Sequence, residues 1–217
     1  MARDRDPRFQ WNDPPPPPPF RIPHSHTQPV TPYVVGSRIF WENLYYMILS
    51  VMDDWLDLEF CDHLANHILR FTPHSYGHTS TGEGTPFYHT EFNKNNFHIK
   101  YMCRKIAREV VEGDCGFIRV YANIQFPGMD GAMHVDDGDM TAIYMVTDTL
   151  SPGDGSFEYM EDGKKESIDF IQNRLVLFEG NKHRGMAPKE GNPRVTVAFK
   201  MVRKGEVEEN EGSRIIQ

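Results

Sequence analysis

Three side chains in this sequence have the types and spacing to hold one metal ion: His134 and Asp136, within His134-Val135-Asp136, and the distant His183. Alternation along an extended chain turns residues i and i+2 to one face, so His134 and Asp136 can reach the same ion. A second imidazole from a separate strand completes two histidines and a carboxylate. That facial set suits non-haem Fe(II) and leaves coordination positions open. Arg194 and Thr196 are likewise two apart. A guanidinium fork and a hydroxyl on one face can grip a distant carboxylate through charge-assisted hydrogen bonds.

Around these residues several short motifs follow in order: Tyr121-Ala122-Asn123, the Phe126-Pro127-Gly128 turn, His134-Val135-Asp136, Thr141-Ala142-Ile143-Tyr144, Asp154-Gly155-Ser156, Asn173 to Phe178, His183, and Arg194-Val195-Thr196. The series resembles the Fe(II)/2-oxoglutarate-dependent dioxygenases, and among them the prolyl-hydroxylase-like branch. The resemblance spans roughly residues 49 to 201 and is strongest from Arg119 onward. It implies a mainly β fold with supporting helices, the double-stranded β-helix (a jelly roll, cupin-like). It also implies Fe(II) on His134, Asp136 and His183, with 2-oxoglutarate and O2 as co-substrates and ascorbate as an aid. Arg194 and Thr196 would hold the remote carboxylate of 2-oxoglutarate, and Tyr121 and Asn123 would contact co-substrate or substrate. The implied reaction hydroxylates a C–H bond, with succinate and CO2 as co-products, on prolyl residues of a peptide or protein.

The sequence departs from that branch in two places. Phe126 or Met145 stands where many members have a tyrosine near the co-substrate, and Arg194 stands where the collagen-type enzymes use lysine. Asp136 favours hydroxylation, since related halogenases lack the carboxylate. Two other readings compete. Arg194-Val195-Thr196-Val197-Ala198 is faintly similar to the end of the nucleobase demethylase signature, but Ala198 or Lys200 replaces its second arginine. A jelly roll that binds a sugar or protein without turnover is the other.

The elements that must position these residues are readable from periodicity. Residues 1–36 form a charged, then proline-rich arm, with an unbroken run from Pro14 to Pro19 that favours stiff polyproline II. Such a run is an arm, a docking segment, or a proline-bearing substrate held in cis. The catalytic domain is assigned to 37–203 and a charged tail to 204–217. Ile48 to Met52 reads as a strand. Asp57 is a helix N-cap, and Cys61, Leu64, Ala65, Ile68 and Leu69 share one face of a helix from Leu58 to Phe71. His63 and His67 are four apart on it, with no third ligand nearby in sequence, and read as surface histidines. A second helix starts at Asn95 or Asn96, with Gly113 as its stop.

Between the helices, 72–90 is rich in Gly, Thr, Ser and Pro and reads as a loop or irregular hairpin. Its Tyr76, Phe87 and Tyr88 are candidate walls for a substrate. From Phe117 the period becomes two, with strands at 117–126, 140–146, 157–160, 174–178 and 195–202. Tyr121, Asn123 and Gln125 fall on one side of the first of these.

Composition bounds the remaining choices. A net charge of -8 argues against a nucleic-acid partner, which needs Lys and Arg against phosphate. No apolar run approaches a membrane span, and the N-terminus lacks the apolar core of a signal peptide. Three cysteines, Cys61, Cys103 and Cys115, form no disulfide framework and fit free thiols in a reducing compartment. The expectation is a soluble, cytoplasmic enzyme.

Overall fold

The computed structural model describes the backbone of 33–35 and 38–40, and residues 47–82, 84–93, 95–111, 115–148 and 153–204. The Pro14–Pro19 run, the Gly113 stop and the acidic tail lie outside the described residues. By contact the chain divides into Met1–Asn43 and Leu44–Gln217. In the first unit, β1 (Tyr33–Val35) pairs antiparallel with β2 (Arg38–Phe40).

The second unit carries β3 (Met47–Met52), α1 (Leu58–Asn66), β4 (Ser75–His78), β5 (Phe87–Glu91), α2 (Phe97–Glu109), β6 (Cys115–Gln125), β7 (Met140–Met145), β8 (Phe157–Glu161), β9 (Lys164–Ile168), β10 (Leu175–Glu179), β11 (His183–Gly185) and β12 (Arg194–Arg203). Seven of these strands form one antiparallel sheet in the order β3-β10-β7-β12-β6-β5-β4, and three form a second, β11-β8-β9. The crossovers in both orders are those of a jelly roll.

Alternation decides what each face of the large sheet does. On β12, Val195, Val197, Phe199 and Met201 are buried with Val120, Ala122 and Ile124 of β6. Cys61 and Leu64 of α1 and Ile99, Met102 and Ile106 of α2 cover them, so both helices pack on one face. The other face turns Arg194, Thr196, Ala198 and Lys200 inward, together with Tyr121 and Gln125. A second apolar cluster, Met145, Phe157, Phe170, Val176 and Phe178, fills the space between the two sheets. At roughly 1.5–3 kcal/mol for each fully buried large apolar side chain, these two clusters supply the main driving force for folding.

Local signals account for the helix starts. The Asp57 carboxylate accepts from Glu59 N at 2.9 Å, and Asn96 Oδ1 accepts from Ile99 N at 3.2 Å. The first helix differs from expectation at its end: the α-helix stops at Asn66, and His67–Phe71 continues as a π-turn. Side chains beyond it take up the loosened carbonyls. Thr72 Oγ1 donates to His67 O at 3.0 Å, and His74 Nε2 lies 2.7 Å from Ile68 O. The 72–90 stretch resolves into the β4–β5 hairpin at the sheet edge, with Tyr76 opposite Tyr88.

Candidate metal and carboxylate site

The two histidines meet through the backbone. His134 N donates to His183 O at 2.9 Å and His183 N to His134 O at 2.8 Å, an isolated antiparallel bridge. Residues paired in this way send their side chains to one face, and the ring centroids lie 4.4 Å apart. Asp136, two residues after His134, closes the set. Its Oδ1 is 3.3 Å from His134 Nε2 and its Oδ2 is 3.4 Å from His183 Nε2. Among the described residues, this is the group of three potential ligands whose donor atoms all lie within 4.8 Å of one another.

The protonation state suits a metal. His134 Nδ1 is 3.0 Å from Ala132 O, and His183 Nδ1 is 2.7 Å from Asn181 O. A carbonyl only accepts, so each Nδ1 carries the proton and each Nε2 presents its lone pair to the centre. Burial pulls the His134 imidazolium below its usual range, and burial with the neighbouring His134 takes His183 down to about 3. Both rings are therefore neutral near pH 7. Phe157 and Phe178 flank the His183 ring, at 5.3 and 4.6 Å between centroids, and keep water from its buried side.

The carboxylate is held from behind. Thr141 Oγ1 donates to Asp136 Oδ2 at 2.8 Å, and Lys200 Nζ contacts the same oxygen. Lys200 is 1% exposed. Burial and the Arg119 guanidinium push its ammonium down to about 6, against which its carboxylate partner works. The sequence reading missed this pair, although Lys200 sits on the Arg194 and Thr196 face of β12 by simple alternation.

A pocket runs from the triad to Arg194. Its walls include Tyr121, Asn123, Ile143, Gly185 and Thr196. The Arg194 side chain is enclosed: Nε donates to Gly155 O at 2.8 Å, and one terminal nitrogen to Gln125 Oε1 at 2.7 Å. Phe170 lies under the guanidinium, 5.0 Å from its carbon to the ring centroid. Gly185 lies against it so closely that a Cβ there would fall 2.7 Å from an Arg194 nitrogen. No carboxylate pairs with Arg194 among the described residues, and burial alone pulls its guanidinium down to about 9. A buried cation without a counter-charge is costly. An anionic ligand in the pocket would remove that cost.

Gln125 was read only as a strand-face residue, yet it braces this cation. Its Nε2 donates to Met129 O at 2.7 Å and Gly185 O at 3.1 Å, which leaves Oε1 to accept from Arg194.

The remaining site residues divide. Tyr121 and Asn123 line the pocket. Burial pushes the Tyr121 phenol up to about 12, so it stays a donor, and Asn123 Oδ1 lies 2.9 Å from His89 Nδ1. Phe87 is 2% exposed and lines the pocket. Tyr76 and Tyr88 do not line it. They pack on each other at 5.1 Å, and Tyr88 leans on the helix-side core and on Phe126, because alternation sends residue 88 to the face opposite residue 87.

Solved structures share this architecture. A prolyl-4-hydroxylase from Pseudomonas putida aligns over 70% of this chain and 91% of its own, with a TM-score of 0.55 at 14% identity. A viral collagen prolyl hydroxylase from Paramecium bursaria Chlorella virus-1, solved with 2-oxoglutarate, covers 70% and 94%, at 0.51 and 16%. The fold is that of the 2-oxoglutarate-Fe(II) oxygenases. It also houses other chemistry: a non-haem α-ketoglutarate-dependent epimerase from nogalamycin biosynthesis covers 70% and 76%, at 0.52 and 10%. No family model matches the sequence, and no curated protein matches it significantly.

Proposed function

We propose that the domain in 37–203 is an Fe(II)- and 2-oxoglutarate-dependent dioxygenase that hydroxylates a prolyl residue in a peptide or protein. The observation that carries this reading is Arg194, a buried guanidinium without a carboxylate partner, at one end of a pocket whose other end is the His134–Asp136–His183 set. A dicarboxylate with a 2-oxo group is the kind of molecule that satisfies both ends. Neutral imidazoles and a carboxylate fit Fe(II). Bound iron would supply the redox chemistry that couples loss of CO2 from 2-oxoglutarate, leaving succinate, to insertion of one oxygen atom of O2 into a C–H bond.

The chain's own residues do the positioning. Arg194 holds the remote carboxylate by its planar fork, braced by Gln125 and by the Gly155 carbonyl, and Thr196 adds a hydroxyl. Tyr121 and Asn123, on the same face of β6, contact co-substrate or substrate. Thr141 and Lys200 fix Asp136, so its Oδ1 stays turned to the centre. Phe157 and Phe178 exclude water behind His183. Support for a proline substrate comes from the prolyl hydroxylases among the proteins with this fold, and from the acidic balance of the chain.

The test is succinate release by the full-length protein with Fe(II), ascorbate and oxygen, across proline peptides and methylated oligonucleotides, with products read by mass spectrometry. Hydroxylated proline is the expected product. Turnover on methylated nucleic acid alone would move the substrate to nucleobases, and no iron-dependent succinate at all would leave a binding jelly roll.

A further inference from the structure

The register of the large sheet rules its inner face into rows. Arg194 of β12 stands opposite Gln125 of β6. Two residues along, about 6.5–7 Å at the rise of a strand, Thr196 stands opposite Asn123, and Asn123 stands opposite His89 of β5. Further along the same strand, Lys200 reaches Asp136. The row of Thr196, Asn123 and His89 therefore lies between the Arg194 clamp and the metal ligands.

His89 Nδ1 is 2.9 Å from Asn123 Oδ1. An amide oxygen only accepts, so the imidazole donates from Nδ1, and it does so in its Nδ1–H neutral form and its protonated form alike. With that oxygen engaged, the amino group of Asn123 is what remains for the pocket. Among the described residues, Asn123 Nδ2 has no hydrogen-bond partner, and neither has the Thr196 or the Tyr121 hydroxyl, although all three residues line the pocket. One wall thus carries three donors left over by the protein. The His89 ring is itself held in place. His78 of β4 stacks on it at 4.1 Å and 15°, and Tyr121 of β6 lies 4.9 Å away at 41°. Those two strands flank β5 in the sheet, so the imidazole sits between their side chains.

We propose that His89 is a positioning residue for 2-oxoglutarate: by holding the Asn123 oxygen it fixes the amide as a donor toward the end of the co-substrate nearer the metal. The inference rests on the dioxygenase reading of the pocket. Without His89 the amide is free to turn over and present its oxygen. A ligand carboxylate or keto oxygen would then face another acceptor, which loses the hydrogen bond and leaves both oxygens unpaired out of water. The effect passes through Asn123 alone.

The test is calorimetric titration of the full-length protein with 2-oxoglutarate under anaerobic Fe(II), with thermal melts alongside. His89→Phe keeps a flat ring between His78 and Tyr121 but has no donor. It is expected to raise the dissociation constant about tenfold, the upper scale of one neutral hydrogen bond. His89→Asn, whose side-chain nitrogen can stand where Nδ1 stood, should restore most of that loss. In a double-mutant cycle, His89→Phe added to Asn123→Ala should weaken binding no further. Equal melting temperatures across these variants separate a lost donor from a lost fold. An unchanged dissociation constant in His89→Phe overturns the inference and leaves the pocket reading intact, as does an additive loss in the double variant. A loss that His89→Asn does not restore marks a packing role and overturns it too. Absence of 2-oxoglutarate binding by the wild type overturns both.

Discussion

Arg194 concentrates an unusual amount of constraint in one side chain. Its guanidinium is buried against Phe170 and Gly185 and uses two hydrogen bonds inside the protein, to Gly155 O and Gln125 Oε1. Replacing it by alanine should weaken 2-oxoglutarate binding by the value of a charged hydrogen bond, about 1.5–3 kcal/mol, with iron affinity retained. Calorimetry with the co-substrate checks this, and an unchanged dissociation constant would move the clamp elsewhere. Gly185→Ala should act on the same atoms from the other side. The new methyl group meets the guanidinium, so co-substrate binding falls although no ligand-contacting atom is removed. The spacing of His134, Asp136, Arg194 and Thr196 was legible because period-two alternation fixes the face. Gln125 and Lys200 obey the same alternation but carry no distinctive motif, and only a folded neighbour gives either a role.

At the scale of elements, the strands with buried apolar runs could be read directly, since β6, β7, β10 and β12 are apolar runs bounded by turn residues. Those without such a run could not. β9 is Lys164-Lys165-Glu166-Ser167-Ile168, almost wholly exposed, and only its pairing with β8 makes it a strand. β11 is three residues long and depends on the same partner.

The turn before β10 shows how a single side chain can join elements. Asn173 adopts φ 66, and its side chain bonds both Leu56 N (2.8 Å) and Leu56 O (2.7 Å) and accepts from Tyr144 Oη at 2.9 Å. Asn173→Ala would strand buried polar groups ahead of α1 and lose a residue that tolerates that backbone region. A loss of about 1–3 kcal/mol is expected in urea unfolding. A change below a few tenths would show that water replaces the amide.

For the molecule as a whole, an ion pair between distant parts of the chain ties the end of β3 to the start of β10. Arg174 Nε and a terminal nitrogen meet the two oxygens of Asp53 at 2.5 and 2.8 Å. The hydrogen bond from Arg174 holds the Asp53 carboxyl below its ordinary range. A carboxylate depressed on folding contributes stability above its unfolded pKa, about 3.9, and that contribution is lost as pH falls through the folded value. Wild type should therefore lose more stability than Asp53→Asn between neutral and strongly acidic pH, as read by denaturant midpoints. Parallel curves would mean that the half-exposed pair is screened by solvent.

The His134–His183 bridge carries one more consequence. Two backbone amides, each bonded to the other's carbonyl, are the whole of the pairing at that point, and both belong to the residues offered to the metal. Breathing of so short a pairing is local rather than global, so these amide protons should trade with solvent deuterium through a small opening event. An ion gripping both imidazoles must leave before that opening can occur. Under anaerobic Fe(II), deuterium uptake at residues 134 and 183 should slow in proportion to site occupancy, while amides in the helix-side core keep their own pace.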